Sequence, residues 1–140
     1  MAAKRAKIVK ISPASERDQV LTVVGGAGTY RREPCAACPW RVDQTGQFSA
    51  QAFRNSAETA YDGSFITFAC HETGAEKPAI CAGFLLRNSL NNIGARLKGL
   101  AGGAGCRSTV GLFSSYREMA IANGVSPDDP VLARCRADDQ

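Results

Sequence analysis

Cys35 and Cys38 sit in the run Pro34-Cys35-Ala36-Ala37-Cys38-Pro39-Trp40-Arg41, a Cys-x2-Cys turn bracketed by two prolines. Proline fixes φ on either side of the turn, so the two thiols are held to converge on one point. Further along come Phe68-Ala69-Cys70-His71 and Pro78-Ala79-Ile80-Cys81-Ala82-Gly83-Phe84. Four of the six cysteines and the only histidine therefore fall between residues 34 and 84. A knuckle completed by donors from a distant segment closes the chain around an ion, and this spacing predicts a metal site.

Neighbouring side chains on extended backbone point to opposite sides, so adjacent residues such as Cys70 and His71 rarely both ligate one ion. Two donor sets remain: Cys35, Cys38, Cys70 and Cys81, or Cys35, Cys38, His71 and Cys81. Both are ordinary for structural zinc. Four thiolates also suit a 4Fe–4S cluster, and a proline directly after Cys38 is familiar from cluster proteins. A redox dithiol is a poorer fit, because no strand–helix–strand unit surrounds Cys35-Ala36-Ala37-Cys38. Zinc-dependent deamination is excluded by order: Thr73 stands two residues after His71, where that chemistry needs glutamate. With one histidine in the chain, the acid–base inventory is thin, and the reading is non-enzymatic.

Length and composition fit one soluble domain. The chain has 140 residues, 44% hydrophobic and 21% charged, enough for one core. No apolar run approaches the ~18 residues of a membrane helix, and the first residues lack a secretory leader, so a cytoplasmic location is expected. In that reducing compartment clustered cysteines serve metals more often than disulfides. The net charge is +4, and Lys4, Arg5, Lys7 and Lys10 supply all of it, since the other 13 basic residues balance the 13 acidic ones. Such an arm can touch phosphates, without sequence information of its own.

The β-branched run Gln19–Val24 reads as a strand, ended by the turn Gly25-Gly26-Ala27-Gly28, which lacks the spacing of a nucleotide-binding loop. Ser49 is placed to cap a helix over 49–60. Residues 64–69 read as a buried strand that delivers Cys70 and His71. The spacing of Leu86, Leu90, Ile93, Leu97 and Leu100 predicts one long helix over about 81–99, with Arg87, Asn91 and Lys98 opposite. After the glycine-rich break of 99–105, a last helix covers about 114–123 and stops at Gly124. Ser126-Pro127-Asp128-Asp129 caps one more turn carrying Val131 and Leu132. Cys106 and Cys135 stand outside the main constellation.

The motifs Cys35–Arg41, Phe68-Ala69-Cys70-His71 and Cys81-Ala82-Gly83-Phe84 together resemble a family of small uncharacterised cysteine–histidine proteins of bacteria and their phages. Weaker similarity continues through Ala95-Arg96-Leu97 and Leu112–Ser115 to Asn123-Gly124. Phe84 stands where a tryptophan is common. The resemblance spans about 34–125 and implies metal binding, with no established activity.

The expected fold is α+β: a basic flexible arm over 1–12, a single metal-binding domain over 13–135 and an acidic tail over 136–140. Within the domain, a short sheet joins the early strands to residues 65–69. The 81–99 helix packs across it, and the metal site joins the Cys35/Cys38 knuckle to Cys70/His71 and Cys81. The expected function is that of a zinc-stabilised module binding a protein or nucleic acid. The alternative is a 4Fe–4S protein in redox sensing or electron transfer.

Overall fold

The computed structural model describes residues 6–13, 19–25, 29–70 and 79–135. At the front, β1 (Ala6–Pro13) and β2 (Gln19–Gly25) form an antiparallel hairpin, with Ile11 opposite Leu21 and a register shift between Ile8 and Lys10. The strand expected over 19–24 is present as β2. The arm expected over 1–12 overlaps β1, so Lys7 lies opposite Val24 and Lys10 opposite Thr22. Lys4, Arg5 and the acidic tail lie outside the described residues.

From residue 29 onward the described body is helical. Its helices are α1 (Ala50–Ser56), α2 (Ala82–Asn88), α3 (Ile93–Leu97) and α4 (Tyr116–Ala122), with 3-10 turns at Val42–Gln44, Ala57–Ala60 and Pro130–Leu132. Ser49 caps α1 by accepting from the Ala52 N–H, as its sequence position predicts. Ser115 caps α4 by accepting from the Glu118 N–H, and that helix ends at Asn123 and Gly124, the latter at φ +102°. Asp129 caps the last 3-10 turn through the Val131 N–H. Trp40, Phe84, Leu85, Tyr116, Met119 and Leu132 are fully buried, and each contributes about 1.5–3 kcal/mol by leaving water. No helix among the described residues is long and apolar enough to cross a membrane.

The α+β expectation is overturned: among the described residues of the body there is no strand, and strands occur only in the β1–β2 hairpin. Residues 64–69 do not join a sheet because their backbone groups are taken elsewhere. The Ser64 carbonyl accepts from the Ile93 N–H at 2.8 Å, and the Ile66 carbonyl accepts from Asn92 Nδ2 at 2.8 Å. Only the far end pairs, through an isolated bridge of Ala69 with Ile80.

The single helix over 81–99 is likewise replaced by two short ones. Ser89 is fully buried and turns its hydroxyl on the backbone, donating to the Leu85 carbonyl and accepting from the Gly102 N–H. Asn92 then caps α3 by accepting from the Ala95 N–H at 2.9 Å. Short polar side chains that bond nearby backbone compete with helix continuation. The leucine stripe is divided by that break: Leu100 is buried and Leu86 packs against the core, but Leu97 is 76% exposed, and Phe84, Leu85 and Ala95 supply the rest of the buried face.

Candidate functional site

The Cys35–Cys38 knuckle is a tight turn in which the Cys38 N–H donates to the Cys35 carbonyl at 3.1 Å. The Arg41 N–H then donates to the Cys38 carbonyl at 3.0 Å. Arg41 reaches back with Nη1 to the Cys35 carbonyl and pairs with Asp43. Trp40 anchors the turn in the core, edge-on to both Phe68 and Tyr116 with ring centroids 6.2 and 5.9 Å away.

Cys81 is brought to this knuckle as the residue preceding α2. Its N–H donates to the Phe68 carbonyl at 2.8 Å, while the Cys70 N–H donates to the Ala79 carbonyl at 2.6 Å. These two bonds flank the Ala69–Ile80 bridge. By strand alternation, Cys70 and Cys81 then fall on the same face of the paired segments. Cys35, Cys38, Cys70 and Cys81 are all buried.

Two of the sulfurs meet. Cys38 Sγ lies 3.5 Å from Cys81 Sγ, and no disulfide joins any of the six cysteines. The Cys38 thiol is pushed up to about 12. Its bond with Cys35 acts to lower it, but the bond with Cys81, burial and the nearby Cys81 charge together outweigh that. Chemically, burial among these sulfurs favours the protonated Cys38 thiol, and a positive charge supplied beside it would release that proton.

The four-donor arrangement expected from the sequence is not assembled among the described residues, where no group of three or more His, Cys, Asp or Glu side chains is placed to hold a metal ion. The structure joins Cys38 to Cys81 directly and ties Cys35 to Cys38. Cys70 stands on the adjoining segment, and His71 lies outside the described residues. Cys106 and Cys135 stay apart from the cluster: the Cys106 thiol faces the Arg31 carbonyl and the Cys135 thiol the Ala57 carbonyl.

Sequence reasoning named Gly83 only as part of the Cys81–Phe84 motif and passed over Asn92. Gly83 lies under Trp40, and Asn92 also donates to the Thr59 carbonyl, tying α3 to the turn after α1. The signal for Asn92 was a buried-type position filled by a good capping residue in the middle of an apolar run. The face expected from Arg87, Asn91 and Lys98 does not form on one helix: Arg87 is exposed on α2, Asn91 and Lys98 are half-buried outside the helices, and Asn91 Nδ2 donates to Asp62.

Residues 30–136 match the model of DUF6283, a family of unknown function. The chain belongs to that family. The match takes in the whole knuckle, the Ala69–Ile80 bridge and all four helices, and leaves the β1–β2 hairpin in front of it. No curated protein and no solved structure matches the chain.

Proposed function

We propose that the protein is a non-enzymatic, metal-stabilised binding module, with zinc held by Cys35, Cys38 and Cys81 and the fourth donor drawn from Cys70 or His71. The observation that carries this reading is the 3.5 Å separation of Cys38 and Cys81 sulfurs in a buried setting. A disulfide would need about 2.05 Å, whereas two thiolates on one tetrahedral zinc, each about 2.3 Å from it, stand roughly 3.8 Å apart. Thiolates on separate irons of a 4Fe–4S cube stand farther apart than that, which favours the single ion over the cluster and its redox role. The ion would supply folding free energy by tying the knuckle to the start of α2.

A reducing cytoplasm suits a thiol cluster of this kind, and the resemblance to proteins of bacteria and phages supports an origin there. The basic residues Lys4, Arg5, Lys7 and Lys10 give the front of the chain affinity for a polyanion. The bound partner in this reading is a protein or a nucleic acid.

Anaerobic purification followed by elemental analysis and an absorbance scan tests the reading. The expected result is about one zinc per chain in a colourless sample, lost in Cys38→Ser together with a sharp fall in melting temperature. A brown, iron- and sulfide-containing sample would replace zinc by the cluster. A metal-free chain whose melting curve ignores chelators would overturn both.

A further inference from the structure

Beyond the thiol cluster, the body carries a concentration of positive charge that its composition does not require. Outside the four basic residues at the front, acids and bases balance, yet Arg31, Arg32 and Arg107 line one concavity of about 670 Å³ with Glu33 as its single described carboxylate. That volume lies in the range of small-ligand sites.

The backbone beneath these side chains is fixed. Ile80 clamps one edge: its N–H donates to the Thr29 carbonyl at 2.9 Å and its carbonyl accepts from the Arg31 N–H at 2.9 Å. The other edge is clamped by the Arg107 N–H, which donates to the Arg32 carbonyl at 2.8 Å. Gly105, at φ +84°, brings the following turn so close to Tyr30 that a Cβ there would lie 3.0 Å from its hydroxyl. The arginines thus stand on two strapped segments rather than on a free loop.

Among the described residues, the partners of Arg107 and Arg32 are weak. Arg107 Nε lies 3.0 Å from Glu33 Oε1, but the two side chains are 82% and 51% exposed, and such a pair contributes little. The Arg32 guanidinium carbon is 6.0 Å from the Tyr30 ring centroid, at the limit of a cation–π contact. The described residues lining the concavity include three arginines and one carboxylate, and a guanidinium fork matches the oxygens of a phosphate in pairs.

We propose that this concavity is an anion site for a phosphate group, with Arg31 and Arg32 as its primary donors and Glu33 as the internal carboxylate that a bound phosphate displaces from Arg107. The phosphate belongs either to a free phosphate ester or to a nucleic-acid backbone, and the recognising chemistry is the same.

The test uses the full chain with its metal content measured on the same sample. Pyrophosphate and a short single-stranded oligonucleotide are titrated separately by calorimetry, then against each other. Saturable pyrophosphate binding is expected, weakened roughly tenfold by Arg31→Gln and by Arg32→Gln, with melting temperatures unchanged. Glu33→Gln is expected to tighten it, since the competing carboxylate is gone while the fold is untouched. An oligonucleotide that competes with pyrophosphate and weakens in the same variants assigns the phosphate to nucleic acid. Pyrophosphate binding without such competition assigns it to a free ester. No saturable binding of either probe at millimolar concentration, or affinity indifferent to all three substitutions, overturns the site. That failure leaves the metal reading standing, because metal content and melting are read independently.

Discussion

Gly83 lies so close under Trp40 that a Cβ built on it would sit 2.5 Å from the Trp40 Cβ and 3.3 Å from the Cys38 sulfur. The first turn of α2 can approach the knuckle only because that position has no side chain. Gly83→Ala therefore overpacks a site where the indole has no room to retreat, at a cost of about 1–3 kcal/mol. Urea unfolding checks this through a lower midpoint with an unchanged slope. A midpoint equal to wild type would show that α2 shifts without resistance.

Asn92 does two jobs, and they can be separated. Its Oδ1 caps α3, and its Nδ2 donates to the carbonyls of Ile66 and Thr59. Asn92→Ala removes both and is expected to destabilise by about 2–4 kcal/mol. Asn92→Asp keeps a good cap oxygen but turns a carboxylate on two carbonyls, so it should be no milder. If the Asn92→Asp variant melted like wild type, capping alone would be what the residue contributes.

The shared face of Cys70 and Cys81 bears on the fourth donor. Under the zinc reading, Cys70→Ala should empty the site, whereas His71→Ala should retune it and leave it populated, with the imidazole acting on a ligand thiolate from outside. Metal per chain in the two purified variants decides this. Full occupancy in Cys70→Ala with an empty site in His71→Ala would reverse the assignment.

Cys135 offers a pH test away from the cluster. Burial pushes its thiol up to about 11 from an ordinary 9.0, against a smaller opposing effect of Arg117. A folded-state value above the unfolded one favours the protonated fold, so its contribution is complete below about pH 9 and is lost as pH rises through about 11. The melting-temperature advantage of wild type over Cys135→Ala should therefore shrink between pH 9 and 11. A constant advantage across that window would show that the thiol titrates alike in both states.

The local signals in the sequence carried well where one residue decides the outcome. Ser49, Gly124 and Asp129 are each a cap or stop whose bond is made within a few residues. The sheet and the long helix were misread because their fate rests on contacts across the chain. Leucine spacing through 86–100 favours continuity, but Ser89 and Asn92 find backbone partners that periodicity does not register. Residues 64–69 have strand composition, yet their carbonyls serve the start of α3. Cysteine spacing drew attention to Cys38 and Cys81, which are 43 residues apart and in contact, without the four-donor group it predicted being assembled among the described residues. The arginine concavity was hidden because Arg31–Arg32 and Arg107 meet only through the backbone bonds between their segments.

The Cys70–Ala79 backbone bond has one further consequence. It pins the backbone of Cys70 to that of Ala79, beside the Ala69–Ile80 bridge and the Cys81–Phe68 bond. For any chain joining two pinned ends, closure entropy grows only logarithmically, and doubling its length costs about 0.6 kcal/mol. Relatives that keep these three contacts can therefore differ in length between the two cysteines at little thermodynamic cost, with the knuckle and α2 held in register by the contacts themselves.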